Sequence, residues 1–208
     1  MVEFPLAYVE RPPDEPTADA PAALVLHGYG ADEEDLLPHA DRLPDDLHVF
    51  GVRGPHEAGD GRYGWMDSRP DPFAPSVDLL AAFAELVPEV ADVAHDRIGL
   101  FGFSQGAKAA LASLVEHPDL FRWAVSLNGF LPRPYDDPDR LAGARDNSVS
   151  AFVGVGEDDT VISPEHGERT ADLLTDAGID VTFRTYPVGH RISAAEMTDV
   201  AAWVGPRR

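Results

Sequence analysis

The sequence contains no cysteine, and this absence removes several kinds of chemistry at once. Disulfide bonds, thiolate metal sites and cysteine nucleophiles are all excluded, because each of them requires a thiol. A metal site built from histidine and carboxylate is not indicated either, since no such pair shares a helix face at a recognisable ligand spacing. We therefore expect no bound metal, and any nucleophile must be a group other than a thiol.

Positive charge is scarce along the chain. Lys and Arg together number 16 against 37 Asp and Glu, for a formal net charge of −21, and Lys108 is the only lysine. Nucleic acid is not expected as a partner, because phosphate backbones require a basic face, and anionic membranes are disfavoured for the same reason. The acidity is spread over the chain and is not confined to a tail. This composition resembles that of cytoplasmic proteins from salt-loving organisms; an ordinary acidic protein is the alternative, which the near-absence of lysine disfavours.

The excess of negative charge leads to a prediction about salt. In molar salt the Debye length falls to about 3 Å, so repulsion between surface carboxylates is screened, whereas dilute buffer leaves it in place. We expect the protein to be marginally stable in dilute buffer and its melting temperature to rise towards about 2 M KCl. Thermal unfolding followed by circular dichroism measures this, and an unchanged melting temperature would count against the interpretation.

Long apolar runs are also missing. No stretch reaches the ~18 apolar residues that a membrane-spanning helix needs, and the N-terminal "MVEFPLAYVERPPDEP" lacks the basic and apolar segments of a signal peptide. These absences predict a cytoplasmic protein without stable membrane insertion. No linker or repeat divides the 208 residues, so we expect a single domain over residues 1–208.

Short apolar runs alternate with longer helical patterns. The runs "AALVLH", "IGLFGF" and "SAFVGV" are nearly continuous in apolar character, which is typical of parallel strands covered on both faces. The alternation predicts an α/β fold with a doubly wound, mostly parallel sheet, and no insertion is long enough for a large cap domain. Residues 11–21 and 69–75 are predicted as loops and residues 132–147 as irregular. The predicted strands are residues 6–10, 22–27, 47–52, 98–103, 123–127, 150–155 and 181–186, and the predicted helices are residues 33–42, 77–94, 107–116, 164–177 and 194–203.

The segment "GLFGFSQGAKAAL", residues 99–111, contains the pattern G-x-S-x-G around Ser104. A buried strand precedes this serine and a helical pattern follows it, which is the setting of a nucleophile elbow. Glycine is expected at Gly102 and Gly106 because side chains there would collide with neighbouring elements at a strained bend. The helix N-terminus would favour a developing negative charge beside the serine. The alternative is an ordinary strand-to-helix turn made of small residues.

A nucleophilic serine needs a general base, and a histidine base needs a carboxylate to orient it. Among eight histidines, His190 follows the last predicted strand, where a loop would lie beside Ser104. The segment "FVGVGEDDTVISP" offers Glu157, Asp158 and Asp159 directly after another strand. Spacing alone does not separate the two aspartates, and a loop aspartate in so acidic a chain is ordinarily only solvated. The order serine, acid, histidine is that of α/β-hydrolases.

An oxyanion hole requires two N–H donors. The backbone of Gln105, directly after the serine, is one candidate donor. The second is expected in "LVLHGYGADEEDL", where glycines let the backbone of a loop approach the substrate closely. In this loop we expect His27 to orient the backbone through a ring hydrogen bond and to have no catalytic role.

Six segments together carry a family resemblance. They are "LVLHGYGADEEDL", "YGWMD", "IGLFGFSQGAKAAL", "AVSLNGFLP", "GVGEDDTVI" and "VGH", in this order between residues 24 and 190. The sequence resembles the phospholipase/carboxylesterase family of α/β-hydrolases, which includes the acyl-protein thioesterases. The resemblance implies that Ser104 is the nucleophile, His190 the base and Asp159 the acid. It also implies that Tyr29 and Gln105 supply the oxyanion N–H groups.

The resemblance further implies a serine carboxylesterase that needs no cofactor and acts on a small-molecule ester or thioester. A short loop between Asp67 and the next predicted helix favours short- to medium-chain esters. A lysophospholipase or acyl-protein thioesterase is the alternative, and a non-catalytic binding module is a third interpretation. Pairing as a homodimer is a further expectation from the family. The candidate substrate-binding residues, each of which could equally belong to the core, are Trp65, Phe73, Phe130 and Leu131.

Overall fold

The computed structural model describes residues 3–15 and 18–208. Over these residues the strands are β1 Tyr8–Arg11, β2 Ala20–Leu26, β3 His48–Val52, β4 His56–Gly59, β5 Arg62–Gly64, β6 Val93–Phe103, β7 Trp123–Leu127, β8 Ser150–Gly156 and β9 Asp180–Tyr186. Seven of these strands form one sheet in the order β1-β3-β2-β6-β7-β8-β9, and β4 pairs with β5 in a separate hairpin. Strand β1 is antiparallel to β3, and the other neighbours in the large sheet are parallel.

Helices cover both faces of the large sheet, which confirms the doubly wound α/β prediction. Alternate residues of β2 point to opposite faces, as the period of two in a strand requires. Ala22, Leu24 and Leu26 enter one hydrophobic core, and Ala23 and Val25 enter the other. The helices are α1 Leu37–Ala40, α2 Ala74–Val90, α3 Gln105–Glu116, α4 Pro138–Asp146, α5 Pro164–Asp176 and α6 Ala194–Val204.

Two local predictions need correction. The predicted helix over residues 33–42 is reduced to the single turn of α1, because the residues before it form turns. Residues 132–147, predicted as irregular, contain α4. This helix begins after Asp137, whose side chain accepts hydrogen bonds from the backbone N–H groups of Asp139 and Arg140. The apolar periodicity of this helix is weak because only Leu141 and Ala144 are buried. The predicted loop over residues 11–21 includes residues 16 and 17, which lie outside the described residues.

The hairpin of β4 and β5 was not predicted, although its turn has a sequence signal. Asp60 and Gly61 connect the strands with φ values of 53° and 70°. Asp-Gly is a preferred pair for a tight hairpin turn with two positive φ angles. The strands themselves are short and largely polar, so they lack the alternation that marks a longer strand.

The parallel strands bring their carboxyl ends to one edge of the sheet. The loops after β2, β6, β7, β8 and β9 therefore meet there, and an open α/β sheet binds ligands at this edge. The helices in the described part of the chain are all too short or too polar to cross a membrane.

Candidate active site

Ser104 lies at a strained bend between β6 and α3. Its backbone has φ 55° and ψ −113°, a conformation that costs a non-glycine residue about 1–3 kcal/mol. A Cβ at Gly102 would collide with the backbone of Gly106, and one at Gly106 would collide with the backbone of Leu26. The backbone N–H of Ser104 donates to the carbonyl of Leu127 at the end of β7, at 2.9 Å. The bend is therefore held by the neighbouring strands, as a nucleophile elbow requires.

A continuous chain of hydrogen bonds connects three of the predicted residues. The Nε2 atom of His190 lies 2.9 Å from Oγ of Ser104, and its Nδ1 atom lies 2.7 Å from Oδ2 of Asp159. An ionised carboxylate only accepts hydrogen bonds, so Nδ1 carries the proton and Nε2 accepts from the serine hydroxyl. This tautomer leaves Nε2 able to take the proton of Ser104.

The structure distinguishes the two adjacent aspartates. The side chain of Asp159 is 1% exposed, whereas Asp158 is exposed. Oδ1 of Asp159 accepts hydrogen bonds from the backbone N–H groups of Val161 and Ile162, at 2.8 and 3.0 Å. Burial is the largest influence on the pKa of Asp159 and raises it, but the hydrogen bonds from His190 and these two amides outweigh burial and lower the pKa. The carboxylate facing His190 is therefore stabilised in its ionised form.

The two predicted oxyanion residues meet around the end of β5. A Cβ at Gly64 would lie 2.8 Å from the side-chain oxygen of Gln105 and 3.0 Å from the ring of Tyr29. The side-chain oxygen of Gln105 accepts a hydrogen bond from the backbone N–H of Trp65, at 2.7 Å. This bond fixes the residue after Ser104 against the loop beside it. The assignment of the Tyr29 and Gln105 N–H groups to an oxyanion hole stays a prediction.

His27 is a structural residue, as the sequence indicated. Its Nδ1 lies 2.7 Å from the carbonyl of Gly28, and its Nε2 accepts from the N–H of Gly54 at 3.0 Å. Burial is the main cause of its lowered pKa, which keeps the ring neutral. The ring therefore connects the loop after β2 to the loop after β3. Within the described ranges 3–15 and 18–208, no three histidine, aspartate or glutamate side chains are grouped in a way that could hold a metal ion.

Comparison with known proteins identifies the family. The sequence profile described as Phospholipase/Carboxylesterase matches residues 80–205, more than half of the chain. The chain belongs to this family. A relative, acyl-protein thioesterase 1 of Gibberella zeae, is 28% identical over 188 residues, which cover 81% of this chain and 74% of that protein.

Solved structures show the same α/β-hydrolase fold. The carboxylesterase of Bacillus cereus is 22% identical with a TM-score of 0.81, and the match covers 98% of this chain and 95% of that one. Acyl-protein thioesterase 2 of Zea mays is 24% identical with a TM-score of 0.81, covering 97% of this chain and 98% of that one. The protein is therefore a hydrolase of the carboxylesterase and acyl-protein thioesterase family.

The four candidate substrate-binding residues of this phospholipase/carboxylesterase chain divide into two pairs. Trp65 is fully buried and donates its indole N–H to the carbonyl of His27, at 2.9 Å, and Phe73 is buried in the core before α2. Both side chains are buried, and their assignment as substrate-binding residues stays a prediction. Phe130 and Leu131 border a small cavity, although Leu131 also contacts the core. The sequence could not separate the two pairs, because apolar residues of the same types occur both in a core and in the lining of a cavity.

Asn128 supports the site and was not predicted. It directly follows β7, with φ 50°. Its Oδ1 accepts from the N–H of Gly156 at 2.7 Å, and its Nδ2 donates to the carbonyl of Arg191 at 3.2 Å. The amide thereby connects the end of β8 to the residue after His190. An asparagine at a strand end is a weak signal of such a turn, since asparagine tolerates positive φ.

Replacement of Asn128 tests this connection. Asn128→Gly keeps the positive φ but removes both amide hydrogen bonds and leaves the buried N–H of Gly156 unpaired. We expect the melting temperature to fall by several degrees, corresponding to about 1–3 kcal/mol, and kcat for esters to fall. Ser148→Gly is the matched control, because Ser148 also has positive φ, 57°, but is exposed. Equal effects of the two substitutions would contradict the role of the amide.

Glu196 is a buried carboxylate three residues after Ser193, at the start of α6. The Ser193 hydroxyl accepts from the N–H of Glu196 at 3.1 Å, and Oε2 of Glu196 accepts from the N–H of Ser193 at 3.2 Å. Within the described residues, Oε1 has no hydrogen-bond partner. Burial raises the pKa of Glu196 from 4.5 to about 7. This capping box begins the helix that follows the loop of His190.

The raised pKa of Glu196 predicts a pH dependence of stability. Between pH 4.5 and about 7 the folded protein holds a proton that the unfolded chain has released. Stability contributed by this proton therefore decreases as pH rises through that window, by up to about 3 kcal/mol. We expect Glu196→Gln to remove this decrease. The free energy of unfolding of the variant should therefore rise relative to that of wild type as pH rises. Denaturant unfolding at constant high salt measures the difference; parallel profiles would refute the prediction.

Proposed function

We propose that the protein is a serine esterase in which Ser104 is the nucleophile, His190 the general base and Asp159 the residue that orients it. The observation that carries the proposal is the unbroken hydrogen-bond chain from Oγ of Ser104 through the imidazole to a buried carboxylate. A strained serine before a helix N-terminus adds to it, because both features suit an exposed nucleophile beside N–H donors.

The proposed reaction has two half-reactions. Oγ of Ser104 attacks the carbonyl carbon of the ester while its proton passes to Nε2 of His190. The carbonyl oxygen becomes an oxyanion that accepts hydrogen bonds from the backbone N–H groups of Gln105 and Tyr29. The C–O bond of the leaving group breaks, and the leaving alcohol takes the proton from His190. Water then attacks the acyl carbon and gives a proton to Nε2 of His190. The bond between the acyl carbon and Oγ of Ser104 breaks, Oγ takes the proton back from His190, and the acid is released.

Short- to medium-chain carboxylic esters are the proposed substrates. Burial of Trp65 and Phe73 leaves few apolar side chains to enclose a long acyl chain. Exposed apolar side chains do occur on loops around the site, among them Tyr29 and Val161. An open and partly apolar site of this kind suits a short acyl group. Acyl-protein thioesters are the second candidate, since two of the similar proteins are named acyl-protein thioesterases.

A panel of substrates tests this proposal. We would measure kcat/KM for p-nitrophenyl esters of increasing chain length and for thioesters with the same acyl groups, in about 2 M KCl to screen the surface charge. We expect the highest values for short to medium acyl esters and a decline of at least about tenfold, or 1.4 kcal/mol, for palmitoyl substrates. Preference for long-chain thioesters would favour the thioesterase instead. Folded protein that hydrolyses no substrate would favour a binding module.

The proposed location is a cytoplasm rich in salt, and it rests on composition alone. A net charge of −21 with a single lysine suits molar salt, where the charges are screened. Pairing as a homodimer likewise stays a prediction from the family.

A further inference from the structure

Lys108, the only lysine of the chain, lies one helical turn after Ser104. Its backbone N–H donates to the carbonyl of Ser104 at 3.3 Å, so the two residues occupy the same side of α3. Side chains on a helix lean towards its N-terminus. A lysine at this position therefore leans towards the first turn of α3, and its Nζ lies over the ring of Phe130.

The charge of Lys108 is not neutralised by a carboxylate. Its Nζ lies 4.2 Å from the centre of the Phe130 ring, and within residues 3–15 and 18–208 no Asp or Glu forms an ion pair with it. Burial lowers the pKa of the ammonium. By contrast, Arg53 pairs with the carboxylate of Glu33. An unpaired, half-buried cation is unexpected in a chain with 37 acidic residues, and it indicates a position kept for an anion.

Other basic side chains border a cavity beside the same aromatic residue. The rings of Phe130 and His166 stack with centroids 4.8 Å apart, and both border a cavity of about 100 Å³. Arg133 and Arg169 also border this cavity, and its one acidic lining residue, Asp136, lies 3.9 Å from Arg169. We define the basic cluster as Lys108, Arg133, His166 and Arg169.

The loop that carries Phe130 connects the basic cluster to Ser104. A Cβ on the preceding residue, Gly129, would lie 3.2 Å from the carbonyl oxygen of Ser104 and would collide with Cβ of Ala107. Phe130 therefore leaves the sheet directly beside the first turn of α3. Continuing along this loop, the N–H of Leu131 donates to Oγ1 of Thr170 on α5, at 3.0 Å, which closes the base of the cavity.

We propose that the basic cluster is a subsite for a carboxylate on the acyl part of the substrate, so that the preferred esters are half-esters of short dicarboxylic acids. This inference rests on the proposed esterase function. The acyl group stays bonded to Ser104 between the two half-reactions, and its charged end then lies within reach of Lys108. Phe130 and Leu131 supply apolar contact for the methylenes between the carbonyl carbon and the carboxylate.

Charge screening strengthens the case for direct contact. A net charge of −21 repels anions at long range, so the protein cannot collect an anionic substrate by its overall field. In molar salt the Debye length is only about 3 Å, and attraction survives only between groups in direct contact. Salt weakens the attraction between a half-buried ammonium and an anion less than it weakens the attraction between an exposed cation and an anion.

The test compares two substrates of equal chain length. We would measure kcat/KM for mono-p-nitrophenyl glutarate and p-nitrophenyl pentanoate with wild type, Lys108→Gln, Lys108→Arg and Arg97→Gln. Arg97 is the charge-matched control, because it lies in the amino-terminal half of β6, away from the site. We expect wild type to prefer the glutarate by at least about tenfold, or 1.4 kcal/mol. Lys108→Gln should reduce this ratio about tenfold, Lys108→Arg should keep most of it, and Arg97→Gln should leave it unchanged.

Direct binding separates failure of the subsite from failure of the esterase proposal. Titration calorimetry with glutarate, and with inorganic phosphate as a second anion, requires no turnover. Glutarate binding that Lys108→Gln weakens and Arg97→Gln does not would support the subsite even if neither ester were hydrolysed. Tighter binding of phosphate than of glutarate would overturn the carboxylate assignment. Absence of glutarate binding and of any preference for the half-ester, or an equal effect of Arg97→Gln, would overturn the subsite itself.

Discussion

Ser104→Ala lowers the turnover of p-nitrophenyl esters by several orders of magnitude, about 10⁴–10⁶-fold, and leaves the protein folded. The substitution removes the oxygen that forms the acyl-enzyme, and loss of the nucleophilic serine alone costs about as much as loss of the whole triad. Alanine keeps a Cβ at the positive φ of 55°, so the strain of the bend is unchanged. The measurement is kcat at high salt for wild type and variant, with the melting temperature of each.

The control for this prediction is structural. The hydroxyl of Ser104 bonds to the ring of His190, but the bend itself is held by backbone contacts to Leu127 and by the glycines on either side. The melting temperature of Ser104→Ala should therefore stay close to that of wild type. A folded variant with wild-type turnover would show that another residue is the nucleophile.

Asp159→Asn should lower kcat by about 10⁴-fold, while Asp158→Asn should change it by less than about twofold. The backbone N–H groups of Val161 and Ile162 would retain the amide oxygen of an asparagine at position 159. Its NH₂ group would then face Nδ1 of His190, which would have to accept. The proton would move to Nε2, and the ring could no longer take the proton of Ser104.

Asp158 provides a matched control one residue away. It carries the same charge, but its side chain is exposed, and its backbone N–H donates to the carbonyl of Val188 at 3.1 Å. The two variants therefore change the net charge equally, and only Asp159→Asn alters the carboxylate that contacts His190. A larger loss of kcat for Asp158→Asn would show that Asp158 is the acid and that the loop adopts a different conformation.

The parts of the fold that could be predicted are the elements whose residues are mostly buried, because burial requires a recognisable pattern of apolar or small residues. The strand over residues 123–127 is observed with the same bounds, and all five of its residues are buried. The elbow at Ser104 was also predictable, since glycines at two fixed positions report a steric requirement. By contrast, α4 buries only Leu141 and Ala144, so its pattern is too weak to predict a helix.

The parts of the site that could not be predicted depend on tertiary contacts. Spacing alone does not separate Asp158 from Asp159; the family resemblance implied Asp159, and the fold buries that side chain against His190. Trp65 has the apolar character of a substrate-lining residue, but its buried indole N–H donates to the backbone carbonyl of His27. Asn128 connects three segments that are far apart in the chain, and no local spacing encodes such a contact.

Covalent labelling of Ser104 tests the central claim most directly. Folded protein in about 2 M KCl would be treated with a fluorophosphonate, its intact mass measured, and the adduct located by peptide mapping. The account predicts one adduct per chain, on Ser104, absent from Ser104→Ala and slowed by His190→Ala because the hydroxyl loses its base. No adduct on folded protein, or an adduct on a different residue, would contradict the account.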